Sequence, residues 1–197
     1  MLDIDFDKVL EIFGLIVGLV YLYYEWKANP RVWIAGIIMP AISLFIYFSK
    51  GLYADFAMNV YYFLMAIYGY IAWTMGFSRK RSAKAERPIT HVPLMVYPVI
   101  IIALGALWWL IAAGLIYGTN SNVPVADAFT TAASIVATWM LARKYAEQWL
   151  VWLAVDAVCV PLYIYKGIYF YASLYALYTV IAFFGYLKWL RLMRHTR

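Results

Sequence analysis

One acidic residue, Asp156, stands in the middle of a long apolar run. It lies about ten residues, or about 15 Å at helical rise, from either end of that run. If the run crosses a bilayer, an ionised carboxylate at that depth costs about 2.5–3.5 kcal/mol even on lenient insertion scales, so such residues face a cavity or a partner. No Lys or Arg falls at the same depth. A cationic ligand, a proton or donors from neighbouring helices remain as partners, and so does a protonated Asp that only packs. Trp152, Asp156 and Tyr163 follow one another at spacings of four and seven, which puts them on one helical face. Aromatic rings beside a carboxylate can hold a flat cation by stacking and cation–π attraction. In a chain with 19 Tyr and 9 Trp, an aromatic packing stripe is the competing explanation.

A second polar group stands on another apolar run. Asn59 and Tyr62 are three apart and share a face, and Tyr68 follows. Asn59 offers two donors and an acceptor to a ligand, or to an adjacent helix. Asp127, Thr130, Thr131, Ser134 and Thr138 form a stripe at spacings of three or four. They either line a polar path or let helices approach closely; packing suits Thr138, and Ser134 is kept as a candidate contact. Pro40 and Pro161 fall inside apolar runs, where each frees a carbonyl and can act as a hinge or a static kink. Trp33, Trp73, Trp149 and Trp189 fall near run ends, the place of interfacial anchors. The single cysteine, Cys159, reads as a small apolar core side chain. His91 and His195 read as solvated residues. Phosphate-binding loops, His-Glu-x-x-His and nucleophile elbows are absent from the sequence, so neither enzymatic chemistry nor a cofactor or metal is expected.

The elements that must position these residues follow from composition. Hydrophobic residues are 66% of the 197 and charged ones 13%, far from the half and quarter of a soluble domain. The acidic N-terminus lacks the flanks of a signal peptide. Spans long enough for the hydrocarbon are expected near 8–26, 31–49, 52–76, 93–116, 124–143, 146–166 and 168–190. With seven spans, thirteen of the 16 Lys and Arg fall on one side and three, Lys8, Lys50 and Lys166, on the other. Positive charge stays cytoplasmic, which predicts N-terminus out and C-terminus in. The formal charge of +6 is thus a matter of topology, and nucleic-acid binding is set aside.

A shift of 116 lays residues 33–73 on 149–189 without a gap. Trp33 meets Trp149, Lys50-Gly51 meets Lys166-Gly167, Gly69-Tyr70 meets Gly185-Tyr186, and Trp73 meets Trp189. The expected fold is an all-α integral membrane protein: two parallel three-helix repeats, 1–76 and 124–197, joined by a basic loop and linker helix over 77–123. Such repeats frame substrate paths, although duplication can also simply build a stable bundle. Asn59 pairs with Tyr175 and Asp156 with Pro40 under the shift. Polar groups that break the symmetry suit an asymmetric ligand.

The run Gly51-Leu-Tyr-Ala-Asp-Phe-Ala-Met-Asn-Val-Tyr-Tyr with Tyr68-Gly69-Tyr70 and Trp73 resembles the third-helix signature of the PnuC vitamin transporters. Leu141-Ala-Arg-Lys144 with Glu147, Trp149 and Trp152, and Pro161-Leu-Tyr-Ile-Tyr-Lys-Gly-Ile-Tyr with Gly185-Tyr186 and Trp189, are similar to its later helices. The resemblance implies a seven-helix core like that of SWEET sugar transporters, in a bacterial inner membrane. It implies facilitated diffusion of an unphosphorylated vitamin, trapped by a cytoplasmic kinase. Nicotinamide riboside is the family's usual substrate, and a thiamine branch exists. Asn59 stands where the family usually has Gln, and Asp156 where it often has Asn. With Gly36-Ile-Ile-Met-Pro40 these departures lean toward thiamine. Proton-coupled uptake through Asp156 is the alternative mechanism, and homo-oligomer formation is left open. The candidate substrate contacts are Asn59, Tyr62, Tyr68, Ser134, Trp152, Asp156 and Tyr163.

Overall fold

A computed structural model describes residues 6–49, 53–75, 87–119 and 122–195. Seven α-helices appear among them: α1 Phe6–Trp26, α2 Arg31–Ser49, α3 Tyr53–Thr74, α4 Tyr97–Gly118, α5 Pro124–Ala142, α6 Gln148–Tyr165 and α7 Tyr169–His195. Six of them are long and apolar enough to cross a membrane; the described apolar part of α1, Phe13–Trp26, is shorter. These positions match the seven expected spans, with α7 running on to His195. Helices suit this chain because lipid cannot satisfy backbone polar groups, and a helix satisfies them internally. The described residues contain one isolated parallel bridge, Thr90 to Tyr145, and no strand.

The chain divides into two compact units, Met1–Arg87 and Pro88–Arg197. In the first, α2 packs on α1 and on α3. In the second, α5 packs on α4 and α6, and α6 on α7. Within the second unit α4 lies outermost, with no buried residue and with Ile101, Ile102 and Trp109 exposed. It meets α5 through Val96, Ile100, Leu104 and Leu107, which cover Val136 and Met140. The Trp108 indole donates to the Val125 carbonyl at 2.9 Å.

The tryptophans correct one expectation. Trp33, Trp73, Trp149 and Trp189 are all 0–1% exposed, so they are core side chains and not interfacial anchors. Trp33 and Trp73 meet edge to face, centroids 5.6 Å apart at 89°. Trp149 and Trp189 repeat the contact at 6.0 Å and 84°. The reason is a glycine under each first ring. A Cβ on Gly69 would stand 2.3 Å from the Trp33 ring, and one on Gly185 would stand 2.8 Å from Trp149. Only a residue without a side chain admits the indole to the neighbouring backbone.

The two units share their hairpins as well. Ala28 and Lys144, 116 apart, both take a left-handed backbone, φ 51° and 58°. Ala28 N–H donates to Glu25 O and Asn29 N–H to Tyr24 O; Lys144 N–H donates to Leu141 O and Tyr145 N–H to Met140 O. This pair of bonds is the Schellman closure, which satisfies the last carbonyls of a helix. The α6–α7 turn closes the same way at Gly167, φ 73°, with Ile168 N–H on Tyr163 O. Its repeat partner, Lys50-Gly51, lies outside the described residues.

Pro40 and Pro161 both sit within unbroken helices, Pro40 buried and Pro161 exposed. Ahead of α4, residues 87–93 run extended beside the α5–α6 turn. Thr90 N–H donates to Lys144 O and Ala146 N–H to Thr90 O. The Glu147 carboxylate, nearly buried, accepts from Val92 N–H at 3.0 Å and lies 2.6 Å from His91 Nδ1. His91 is therefore a half-exposed partner of Glu147 and not merely solvated.

Two outcomes follow. Gly69→Ala and Gly185→Ala should each destabilise the protein by about 1–3 kcal/mol through overpacking, Gly69→Ala more. Gly105→Ala, with nothing within 4 Å of its Cβ, should leave the detergent unfolding midpoint in place. Glu147→Ala should accelerate amide exchange at Val92 by at least about tenfold, since a charge-assisted hydrogen bond contributes about 1.5–3 kcal/mol.

Candidate functional site

Asp156 and the described side chains grouped with it below belong to the second unit. Asp156 is buried on α6, 7% exposed. Among the described residues its carboxylate makes no ion pair or hydrogen bond. Its electrostatic neighbours are Cys159, one turn along α6, and Tyr175 and Tyr178 of α7. Beneath them lies a small cluster of Ala133, Val155 and Cys159, covered by Phe129, Trp152, Tyr163 and Tyr175. Trp152, Asp156 and Tyr163 thus share a neighbourhood as their spacing predicts, and the Trp152 Nε1–H is buried without an acceptor among the described residues.

Tyr163 is the centre of a ring stack. Tyr175 lies parallel to it at 5.1 Å and 9°, and Tyr171 at 5.5 Å and 23°. Tyr178 meets Tyr175 edge to face at 5.9 Å. The Lys166 ammonium sits 5.9 Å from the Tyr163 ring and is held by Asp127, Nζ to Oδ1 2.9 Å. The stack runs from this ion pair toward the buried carboxylate.

The polar stripe of α5 is mostly spent on its own backbone. Thr130 and Thr131 donate to the Asp127 carbonyl, and Thr138 donates to the Ser134 carbonyl. The packing assignment of Thr138 fits this. Ser134 is half-buried one residue from Ala133 of the cluster under Asp156.

Asn59, Tyr62 and Tyr68 lie half-buried on α3 in the first unit. Tyr62 meets Tyr61 edge to face at 5.6 Å. It also lies within electrostatic reach of Tyr21 on α1, as does Glu25. The Tyr21 ring covers Gly36 of α2, 3.1 Å from where a Cβ would stand. Glu25 is, besides Asp156 and Glu147, another buried carboxylate among the described residues, 3% exposed, that its place at a span end concealed.

Tyr175 and Tyr178 were missing from the sequence-based candidates. The signal that finds them is the repeat: they are the counterparts of Asn59 and Tyr62 under the shift of 116. The same shift puts Gly36 opposite Trp152 and Pro40 opposite Asp156. One unit therefore carries a carboxylate and an indole where the other carries a proline and a glycine. The described residues contain no cluster of His, Cys, Asp or Glu able to hold a metal ion.

Residues 8–191 match the family model described as nicotinamide mononucleotide transporter. The chain belongs to that family. The chain is similar to the nicotinamide riboside transporter PnuC of Escherichia coli, 25% identical over 209 residues, covering 94% of this chain and 86% of the relative. The riboflavin/roseoflavin transporter RibM of Streptomyces davaonensis is 27% identical, covering 93% and 86%. A crystal structure of the vitamin B3 transporter PnuC has the same fold, with TM-score 0.66 and 18% identity, covering 91% of this chain and 80% of that one. Family membership makes this a multi-pass membrane transporter, in keeping with its apolar helices.

The Asp127–Lys166 pair has side chains about a third exposed, so solvent screens it. A double-mutant cycle of Asp127→Asn and Lys166→Gln should return a coupling of about 0.2–1 kcal/mol, read from unfolding in detergent. A coupling several times larger would mean that the pair is buried during the measurement.

Proposed function

We propose that the chain carries a flat, cationic, vitamin-sized molecule across the bacterial inner membrane, and that this molecule is nicotinamide riboside. The observation that carries the proposal is Asp156: a buried carboxylate without a cation among the described residues, set among Trp152, Tyr163, Tyr175 and Tyr178. A pyridinium ring supplies both the missing positive charge and a face for the rings to stack on. The residues alone leaned toward thiamine. The E. coli and Neisseria mucosa relatives are nicotinamide riboside transporters, and that supports the riboside over thiamine.

Transport by this reading is facilitated diffusion. The vitamin enters from the side of Lys166, and a cytoplasmic kinase keeps it inside by adding phosphate. The distribution of Lys and Arg supports an outside N-terminus and an inside C-terminus. Asn59, Tyr62, Tyr68 and Ser134 complete the proposed contact set. Binding is modest, because a carrier must release its cargo on the far side.

The test is uptake into proteoliposomes with no energy source added. Nicotinamide riboside should exchange, and thiamine should compete for it at least about tenfold more weakly. Asp156→Asn should reduce riboside uptake by about tenfold or more, a change of about 1.4 kcal/mol. Full uptake by Asp156→Asn would make Asp156 a packing residue. Uptake that collapses when a proton gradient is dissipated would favour proton coupling through Asp156.

A further inference from the structure

The second unit contains a cavity far along α7 from Asp156, at the end of the unit where the basic residues gather. Its volume is about 300 Å³, and it is lined by His91, Tyr186, Leu190, Met193 and Arg194. Four of these come from α7 at spacings that stack them on one face. The fifth, His91, comes from the extended segment ahead of α4. Glu147 holds that segment in place, gripping His91 Nδ1 at 2.6 Å and Val92 N–H at 3.0 Å. The cavity is thus built from a helix and a clamped strap and does not depend on a free loop.

Its chemistry is two-sided. Leu190 is half-buried and Met193 nearly buried, and they form an apolar wall. Tyr186 adds a ring with a hydroxyl, the residue type that sits where hydrocarbon meets water. Arg194 is exposed at the mouth and brings a guanidinium with several parallel donors. With Nδ1 engaged by Glu147, the second ring nitrogen of His91, Nε2, is left for a ligand. Arg143, Lys144, Lys188 and Arg191 belong to the same end of the unit and raise the local positive potential. Among the described residues, the carboxylate paired with a cavity-lining side chain is Glu147, which His91 engages.

We propose that this cavity binds a phosphate group, and specifically the headgroup phosphate of an anionic phospholipid. A guanidinium matches phosphate oxygens in bidentate fashion. Basic pockets at the ends of transmembrane helices take anionic headgroups. The apolar wall of Leu190 and Met193 then meets the glycerol and the first acyl carbons, which inorganic phosphate lacks. The site has no part in the carriage of substrate at Asp156, and a failure of either proposal leaves the other standing.

The experiment uses the full chain purified in a mild detergent. Native mass spectrometry would count retained phosphatidylglycerol against phosphatidylcholine, with inorganic phosphate as a competitor. Wild type should retain one phosphatidylglycerol at least about tenfold more strongly than phosphatidylcholine. Arg194→Gln should remove that preference. Arg191→Gln, which deletes the same charge one turn away from the cavity, should keep it. Leu190→Trp, which fills the cavity without touching charge, should also displace the lipid. Competition by millimolar inorganic phosphate with no preference among lipids would assign the site to soluble phosphate and overturn the lipid assignment. Equal losses in Arg191→Gln and Arg194→Gln would reduce the cavity to a diffuse basic surface and overturn the site altogether. Retention unchanged in Arg194→Gln would do the same.

Discussion

Everything else in this protein depends on an indole lying flat on a helix backbone. In lipid the tails are as apolar as any side chain, so burial of apolar surface does not hold helices together. Close packing must do so. Trp33 reaches the backbone of α3 at Gly69, and Trp149 reaches α7 at Gly185. Each indole then meets a second tryptophan edge to face, an arrangement the ring quadrupole favours by about 0.5–1.5 kcal/mol beyond contact area. A residue as large as tryptophan makes many dispersion contacts at once. The contact fixes how α2 lies on α3 in one unit and how α6 lies on α7 in the other. Asp156 and Tyr163 are carried on the second of these helix pairs, opposite Tyr175 and Tyr178, so the site inherits its geometry from the indole contact.

The helices were legible because apolar runs and basic turns are written residue by residue. The repeat was legible because tryptophan and glycine are rare enough to mark a register. The meaning of those markers was not. A tryptophan near the end of a span looks like an anchor, and only the partner glycine, 36 residues on in each unit, shows that it is buried. The hairpins were hidden for another reason. A left-handed residue is normally announced by glycine, whereas this chain uses Ala28 and Lys144. The strap of residues 87–92 was hidden because its partners are backbone groups and Glu147, which no local pattern pairs with it. Asp156 was legible from its depth alone. Its neighbours on α7 were not, since tyrosine is common throughout the chain and composition blurs any one ring.

The two units keep the same frame and differ where chemistry is needed. The frame includes the indole contact, the Schellman closures and the hairpin backbone. The differences fall on the faces that the frame leaves open: Trp152 against Gly36, Asp156 against Pro40, Tyr175 against Asn59. A glycine at 36 lets Tyr21 lie against α2, so the first unit fills from α1 the place that the second fills with its own indole. Duplication supplies a stable body twice, and substitution on the unconstrained faces makes the two units chemically different. Among the described residues, Glu25 in the first unit and Glu147 and Asp156 in the second are buried carboxylates, and they stand at different levels of the frame.

The left-handed turns have a consequence for how each hairpin closes. A left-handed alanine or lysine is strained by roughly 1–2 kcal/mol relative to its ordinary conformation, and glycine would remove that strain. Glycine would also leave the nascent hairpin free to open in many directions, since it enlarges the set of conformations available before folding. A non-glycine residue at 28 and 144 narrows that set, but away from the left-handed region, so each turn depends on the two hydrogen bonds of its closure and on the packing of its two helices. The reversals between α1 and α2 and between α5 and α6 are therefore set only once both helices of the pair are in place, so each hairpin is completed by its second helix and not by its turn.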